Sequence, residues 1–387
     1  MSILVQADLT RGLYIHIPFC LKKCRYCDFY SQPLIHRDWL ERYTVALLVE
    51  IRQQAQVFGS CRLASIYIGG GTPSLLSSDH LKRIIEAINQ NFLVVDSAEI
   101  SIEANPATLE LSWLEQLLSM GINRLSIGVQ SFSDIELKIL GRLHSSREIM
   151  DSIELLHKTG LKNFNIDLIY GIPGQSVGDW ASNLKQAVEC APRHLSAYLL
   201  QPGNNTPMAV DIEQGRLALL DEEIEAAMYY KTLEFLQEQG FEHYEISNFC
   251  KPGYECRHNI NYWQAGEYIG IGAGAVSYTN CRRYINRENW QEYVNSLENN
   301  PSCMVEELEK MSTPELLADA MITGLRMCRG INLGEYTNRF NRDVIHEYSS
   351  IIESGMAKGL LKMENGQLSL TKKGYFLSNE VLCQFIT

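Results

Sequence analysis

Six short apolar runs punctuate the first half of the chain: GLYIHI (12–17), ASIYIG (64–69), AEISIE (98–103), RLSIGV (124–129), FNIDLI (164–169) and LSAYLL (195–200). Between them, apolar residues recur three and four positions apart. Leu40, Tyr43, Leu47, Ile51 and Phe58 form one such series, and Leu81, Ile84, Ile85 and Ile88 the next. Leu114, Leu117 and Leu118, then Ile149, Ile153 and Leu156, continue the pattern, which is that of amphipathic helices. Ser78 and Ser146 stand where such helices are N-capped, and Gly121 and Gly160 where they end. Strand followed by helix, six times over, predicts a parallel sheet, with runs apolar enough for burial on both faces. An open, doubly wound sheet would read almost the same. The polar residues favour a partial barrel, because they fall at the carboxyl ends of the strands, where parallel α/β folds gather their chemistry. A cysteine loop follows the first run, Gly69-Gly70-Gly71-Thr72 the second, and Glu103, Gln130 and Asp167 close the next three. Any one of these is ordinary turn or cap chemistry. Five at successive strand ends predict a ring around one mouth.

Residues 205–300 show no clear repeat and predict no particular fold. Beyond about residue 305 the pattern turns to helices and a terminal hairpin. TPELLADAMITGLRM (313–327) opens with a cap at Thr313 and Pro314 in the first helical position. GLLKMENGQLSL reads as two strands about the turn Asn365-Gly366. That order predicts a small winged-helix-like α+β unit. The expected organisation is an α/β core over 1–240, a linking segment over 241–304 and the small C-terminal domain over 305–387.

Composition narrows the function classes. The 387 residues are 45% hydrophobic and 21% charged, enough for one large core and a smaller domain. With 34 basic against 46 acidic residues the net charge is −12, which argues against nucleic acid held by general electrostatics. The winged-helix-like unit is therefore expected to act as a lid or docking element. No stretch reaches the about 18 uninterrupted apolar residues of a membrane span, and MSILVQADLTRG is no secretory leader, so a cytoplasmic protein is expected. Thiols stay reduced there, and the eleven cysteines form no paired framework, which leaves disulfides the weakest reading of them.

The loop CLKKCRYC places Cys20, Cys24 and Cys27 in eight positions with no fourth cysteine behind them. A structural zinc site wants four protein ligands, and three are present, although His16, His36 or a distant cysteine would complete the set. Iron and sulfur fit better. Thiolates are the usual ligands of a cubane cluster, and three of them hold three irons and leave the fourth open to a small chelating ligand.

The C-x3-C-x2-C spacing after a first strand, with an aromatic residue before the last cysteine, resembles the radical S-adenosylmethionine (SAM) superfamily. The resemblance implies a (β/α)6 partial TIM barrel, a [4Fe-4S] cluster on Cys20, Cys24 and Cys27, and SAM on the open iron. YIHIPFC, GGGTPS, IEANP, SIGVQSF, LGRLHS, IDLIYGIPGQ and the C-terminal ITGLRMCRGINL are similar to the family of the oxygen-independent coproporphyrinogen III oxidase and its heme-chaperone relatives. Carried over by position, it implies SAM contacts at Tyr14, Tyr26, Gly70, Gly71, Thr72, Glu103, Gln130, Arg142, Asp167 and Val276, with the glycines giving the ligand room.

Two departures point away from the oxidase. Phe29 stands where the oxidase carries a further cysteine, and only 13 residues precede Tyr14, too few for the oxidase's amino-terminal extension. CRHNINYW (256–263) contains H-N-x-x-Y, similar to the heme-binding signature of the chaperone branch. It implies His258 as an axial ligand to heme iron and Tyr262 as a second ligand or hydrogen-bond partner. Without the family, both residues would read as core aromatics. The resemblance thus implies a heme carrier with heme-accepting, membrane-associated respiratory proteins as recipients. It leaves room for a homodimer and keeps porphyrinogen decarboxylation by an oxidase as the alternative.

Overall fold

The computed structural model describes residues 10–59, 61–299 and 305–386. All six anticipated strands form: β1 (Thr10–Ile17), β2 (Arg62–Gly70), β3 (Leu93–Ala104), β4 (Arg124–Gln130), β5 (Phe164–Tyr170) and β6 (His194–Leu199). Each pairs in parallel with the next. The helices between them are α1 (Asp38–Phe58), α2 (Ser78–Asn91), α3 (Leu111–Ser119), α4 (Asp134–Leu140), α5 (Ser146–Thr159) and α6 (Val177–Glu189). This is the six-stranded parallel core of a partial barrel.

The capping residues lie one position earlier than expected. Ser77, Ser145 and Ser312 are the N-caps of their helices, and Ser78, Ser146 and Thr313 are the first helical residues. Each cap forms a capping box with the residue three positions on, which satisfies donors that the first turn leaves orphaned. In runs with adjacent hydroxyls, the box partner sets the register. Gly160 caps α5 in the left-handed conformation, as anticipated.

Burial on both faces of the sheet has an unexpected form. Leu13, Ile15, Ile17, Ile66, Ile68, Ile102, Ile127 and Ile166 are buried in the main hydrophobic core. The alternate positions are polar and equally buried: Ser65, Glu99, Ser101, Arg124, Ser126, Asn165, His194 and Ser196. Strand register sets them side by side, Ser65 with Glu99, Ser101 with Arg124, Ser126 with Asn165 and Asn165 with His194. One face is thus apolar and the other a hydrogen-bonded polar interior, unlike the branched aliphatic filling usual in closed eight-stranded barrels.

Residues 205–300, which showed no periodicity, combine helices such as Glu222–Glu238 with short strands that extend the same sheet on both sides. Asn248–Cys250 runs antiparallel to β6, with Glu242–Glu245 beyond it. On the opposite edge Tyr268–Ile271 runs parallel to β1, followed by antiparallel Val276–Thr279, Arg282–Asn286 and Val305–Lys310. The C-terminal unit has the anticipated winged-helix order. Helices Thr313–Gly324, Leu333–Phe340 and Ser349–Ala357 precede the hairpin Leu361–Glu364 and Gln367–Leu370. Asn365 and Gly366 turn that hairpin with φ of 52° and 76°, the positive values of a two-residue turn.

The unit is clamped onto the short helix Arg257–Trp263. Arg339 donates to the carbonyls of Gln264 and Ala265, both at 2.9 Å, so a cation meets the carboxyl end of that helix. Arg326 lies 4.4 Å from the Trp263 ring centroid and 3.7 Å from the Glu245 carboxylate. Arg283 pairs with Asp319 at 2.6 Å.

Candidate cofactor site

The cysteine loop leaves β1 and is held at both ends. Gln32 N–H donates to the Pro18 carbonyl and Leu34 N–H to the Cys20 carbonyl, each at 2.8 Å. Its middle is tied to the barrel, with Arg25 N–H on the Leu140 carbonyl and the Arg25 guanidinium on Asp211. Cys20, Cys24 and Cys27 are free and half-buried. Burial raises the Cys20 thiol pKa, offset in part by hydrogen bonds from Thr72 and Ser31, and raises that of Cys27 as well. Arg142 Nη1 donates to Cys24 Sγ at 3.3 Å, placing positive charge where a thiolate would form. Among the described residues, no three His, Cys, Asp or Glu side chains gather closely enough to hold a single metal ion.

The thiols open onto a cavity of about 510 Å³ at the carboxyl ends of the strands. Tyr26, Gly70, Gly71, Thr72, Glu103, Gln130, Arg142 and Asp167 line it together with all three cysteines. Glu103 accepts from Tyr67 Oη at 2.9 Å and from Gly70 N–H at 3.1 Å. Burial first, then the nearby Asp167, nonetheless push its pKa up to about 7. Asp167 accepts from Asn165 Nδ2 at 2.8 Å and Ser126 Oγ at 3.1 Å, and burial raises its pKa too. Two buried carboxyls that resist ionisation suit a ligand bringing positive charge. Arg142 donates to the Gly128 carbonyl at 2.7 Å, while its Nε is buried without a partner, a donor that suits a carboxylate. Gln130 ends β4 at φ +69° after a shift in strand register, and such a bulge re-aims a side chain at a strand end.

The fold itself requires the glycines at the end of β2. A Cβ on Gly70 (φ +112°) would sit 2.5 Å from the His16 ring, and one on Gly71 would sit 2.6 Å from the Phe19 carbonyl oxygen. It is the protein's own β1 and cysteine loop that demand the space, bringing the Gly70–Gly71 backbone against the loop.

Two expected SAM contacts lie elsewhere. Tyr14 and Val276 line a second cavity of about 390 Å³, together with Tyr262, Trp263, Tyr268 and Tyr278. The stacked rings of Tyr14 and Tyr67, 6.4 Å apart, stand between the two spaces. His258 lines neither cavity. It is 1% exposed and inserted at the amino end of the barrel, with Nδ1 2.9 Å from Ser65 Oγ and Nε2 2.8 Å from Tyr262 Oη. Glu99 accepts from its backbone N–H at 3.2 Å. Burial first and Arg124 second lower the ring's pKa to about 3, so it is neutral. The anticipated axial ligand thus has both nitrogens engaged inside the fold.

The first cavity also holds residues that sequence reasoning missed. Tyr67, Ser126 and Tyr198 line it, and each alternates with an apolar neighbour on its strand. That period of two was legible in ASIYIG, RLSIGV and LSAYLL had the runs been divided by face.

Comparison with known proteins agrees with this architecture. The radical SAM superfamily model matches residues 14–187, and the HemN C-terminal domain model matches residues 311–377. The heme chaperone HemW of Lactococcus lactis is 35% identical over 96% of this chain and 96% of its own length. The chain belongs to the HemW family. HemW of Bacillus subtilis is 33% identical over 97% of the chain and 99% of its own, and HemW of Escherichia coli is 40% identical over 68% and 69%. The solved coproporphyrinogen III oxidase (HemN) from Escherichia coli, a radical SAM enzyme, superposes with a TM-score of 0.86 over 100% of this chain and 92% of its own. At 22% identity, that likeness shows that this chain has the fold of HemN. The radical SAM fold implies a [4Fe-4S] cluster and SAM.

Proposed function

We propose that this chain carries heme to acceptor proteins, and that it holds a [4Fe-4S] cluster and SAM in the larger cavity as part of that task. The observation that carries the reading is full-length similarity to proteins named heme chaperone HemW. The donor set supports the cofactor half. Three half-buried thiols share a cavity with two protonation-prone carboxyls and with Arg142, which reaches Cys24 and keeps its Nε without a partner. Cys20, Cys24 and Cys27 would hold three irons, and the bound cluster would supply an open iron for the amino and carboxylate groups of SAM. Glu103 and Asp167 would meet positive charge and the ribose hydroxyls, Arg142 and Gln130 the polar end of the ligand, and Tyr26 and Thr72 would flank it. Tyr14 and Val276, across the aromatic wall, would contact SAM only through a shift of that wall.

Heme and its acceptors belong to the same proposal. The acceptors we infer are membrane-associated respiratory proteins, served from the cytoplasm, with a homodimer as one arrangement of the carrier. Among the described residues no helix is long and apolar enough to cross a membrane. The test is direct. Anaerobically reconstituted protein is mixed with heme and, separately, with coproporphyrinogen III, SAM and a reductant. A heme absorbance band that survives gel filtration is expected, without decarboxylated porphyrinogen. Steady formation of protoporphyrinogen would replace this reading with an oxidase.

A further inference from the structure

Two side chains of the LGRLHS segment reach back to β4. Arg142 lines the larger cavity, while His144, two residues on, lies behind the cavity wall and is 3% exposed. Its ring has one partner at each of two neighbouring strand ends. Nδ1 lies 3.0 Å from Asn105 Oδ1, and Nε2 lies 3.2 Å from the Val129 carbonyl oxygen. Asn105 follows the last residue of β3 and stands two positions after Glu103, and Val129 immediately precedes Gln130. Asn105 also reaches the loop after β2, with its N–H on Ser74 Oγ at 3.1 Å. Three successive strand ends are thus joined through one buried imidazole.

The contact with Val129 falls at an irregular point of β4. Between Ile127 and Gln130 the pairing with β5 shifts register, so that three steps along β4 match two along β5, from Ile166 to Leu168. Such a bulge disrupts the ladder locally and re-aims the side chains beside it. The carbonyls at the bulge are met by the loop between α4 and α5, that of Gly128 by Arg142 Nη2 at 2.7 Å and that of Val129 by His144. Gln130 then leaves the strand at φ +69° and lines the cavity. A non-glycine residue in that conformation persists where its surroundings hold it.

We infer that His144 is a positioning residue for the SAM site, bracing the bulge of β4 against the end of β3 so that Gln130 and Glu103 face one ligand. This rests on the reading that the larger cavity takes SAM, and deepens it. Burial first and the Arg142 charge second lower the ring's pKa to about 4, so it is neutral near neutral pH. It therefore braces the rim without setting a second cation beside Arg142, whose charge stays available for a carboxylate. Both partners are acceptors and a neutral ring carries one N–H, so one proton is shared between the two strand ends. His144→Asn keeps an amide in the place of Nδ1, and His144→Gln keeps one in the place of Nε2, so each retains half of the bridge.

The experiment measures SAM affinity by anaerobic equilibrium dialysis of the full-length, cluster-reconstituted protein, with iron and sulfide content and the electron paramagnetic resonance of the reduced cluster read on the same samples. His144→Ala should keep the cluster and its SAM-free spectrum, weaken SAM binding about tenfold and blunt the change that SAM makes in the spectrum. His144→Asn and His144→Gln should each lose about threefold. A cycle with Gln130→Ala separates aiming from stability: His144→Asn should cost SAM affinity in the parent and nothing further beside Gln130→Ala, as for coupled residues. Should His144→Ala fail to load the cluster, His144→Asn and His144→Gln carry the test. Parent-like SAM affinity in all three variants, with only a lower melting temperature, would overturn the assignment, as would additive losses in the cycle. A parent that assembles its cluster but binds no SAM would remove the SAM reading itself, a failure distinct from either.

Discussion

The two cavities meet at Phe29 and across the stacked rings of Tyr14 and Tyr67, yet they are made from different materials. The larger one is assembled from strand carboxyl ends and the loop that follows β1, with buried carboxyls and an arginine as its polar groups. The smaller one is assembled from a seven-residue helix, the two four-residue strands beyond β1 and a helix of the C-terminal unit, and half of its lining residues carry rings. The first is built to hold charge, and the second to hold a flat apolar body. A protein that kept one ligand while handing on another would gain from such a division, since loading or emptying one site need not disturb the polar network of the other.

The largest expected effect tests whether the cavities are separable at all. Replacing Cys20, Cys24 and Cys27 together by serine should abolish cluster assembly, read as iron and sulfide after anaerobic reconstitution, because no other thiol lines that cavity. Heme binding to the same variant should survive within about threefold, because Phe29 is the residue that lines both cavities and it is left in place. One zinc per chain retained by the parent, with no sulfide, would show the cysteine loop to be a different metal site. Loss of heme along with the cluster would show that the two spaces are one.

The next effect sharpens the polar side. Glu103→Gln and Asp167→Asn each remove an acceptor of charge-assisted hydrogen bonds, worth about 1.5 to 3 kcal/mol, or roughly ten- to a hundredfold in SAM affinity. Equilibrium dialysis under anaerobic conditions should show this loss, with iron and sulfide content unchanged. Parent-like SAM affinity in both variants would mean that the ring of strand-end residues does not serve SAM.

Glu103 also makes a prediction about pH. Its pKa rises from 4.5 in the unfolded chain to about 7 in the fold, so the folded state binds the extra proton between those values. Stability of the cluster-free protein should therefore fall as pH rises from about 4.5 to 7, by about 3 kcal/mol from this group. Asp167, Glu50 and Glu245, raised by burial as well, contribute in the same direction. Urea unfolding across that range should show a shallower fall in Glu103→Gln than in the parent. Identical slopes would place ionised Glu103 in the empty cavity.

How much of this was legible follows the same division. The carboxyl-end ring was read because a parallel strand announces its own end: Glu103 and Gln130 sit at the close of apolar runs, and Asp167 is the one acidic residue within the run FNIDLI. The second cavity offered no such signal. Tyr268–Ile271 and Val276–Thr279 are four residues each, too short for a period to show, and their register with β1 is a tertiary fact. His258 could be recognised by its pattern but not placed. Nothing in CRHNINYW tells that Glu99, in a strand some 160 positions earlier, accepts from the backbone N–H groups of Arg257 and His258 and draws the ring into the barrel. The polar inner face was missed for a simpler reason. Serine and glycine between isoleucines leave a strand looking apolar, while one hydroxyl per strand is enough to build a buried network.

The smallest expected effect bears on the wall itself. Tyr67 Oη donates to Glu103 in the larger cavity, while the Tyr67 ring stacks on His258 with centroids 5.3 Å apart. Tyr67→Phe deletes the first interaction and keeps the second. Glu103 then loses a donor that stabilises its ionised form, so its pKa should climb further. SAM affinity at neutral pH should fall by about 1 kcal/mol, a factor of roughly five. The heme spectrum should not move, because the face that His258 packs on is unchanged. A heme band that shifts in Tyr67→Phe would mean that the Glu103 hydrogen bond is felt across the ring. The wall would then be a linkage through which SAM occupancy sets the strength of heme binding, rather than a partition between two independent sites.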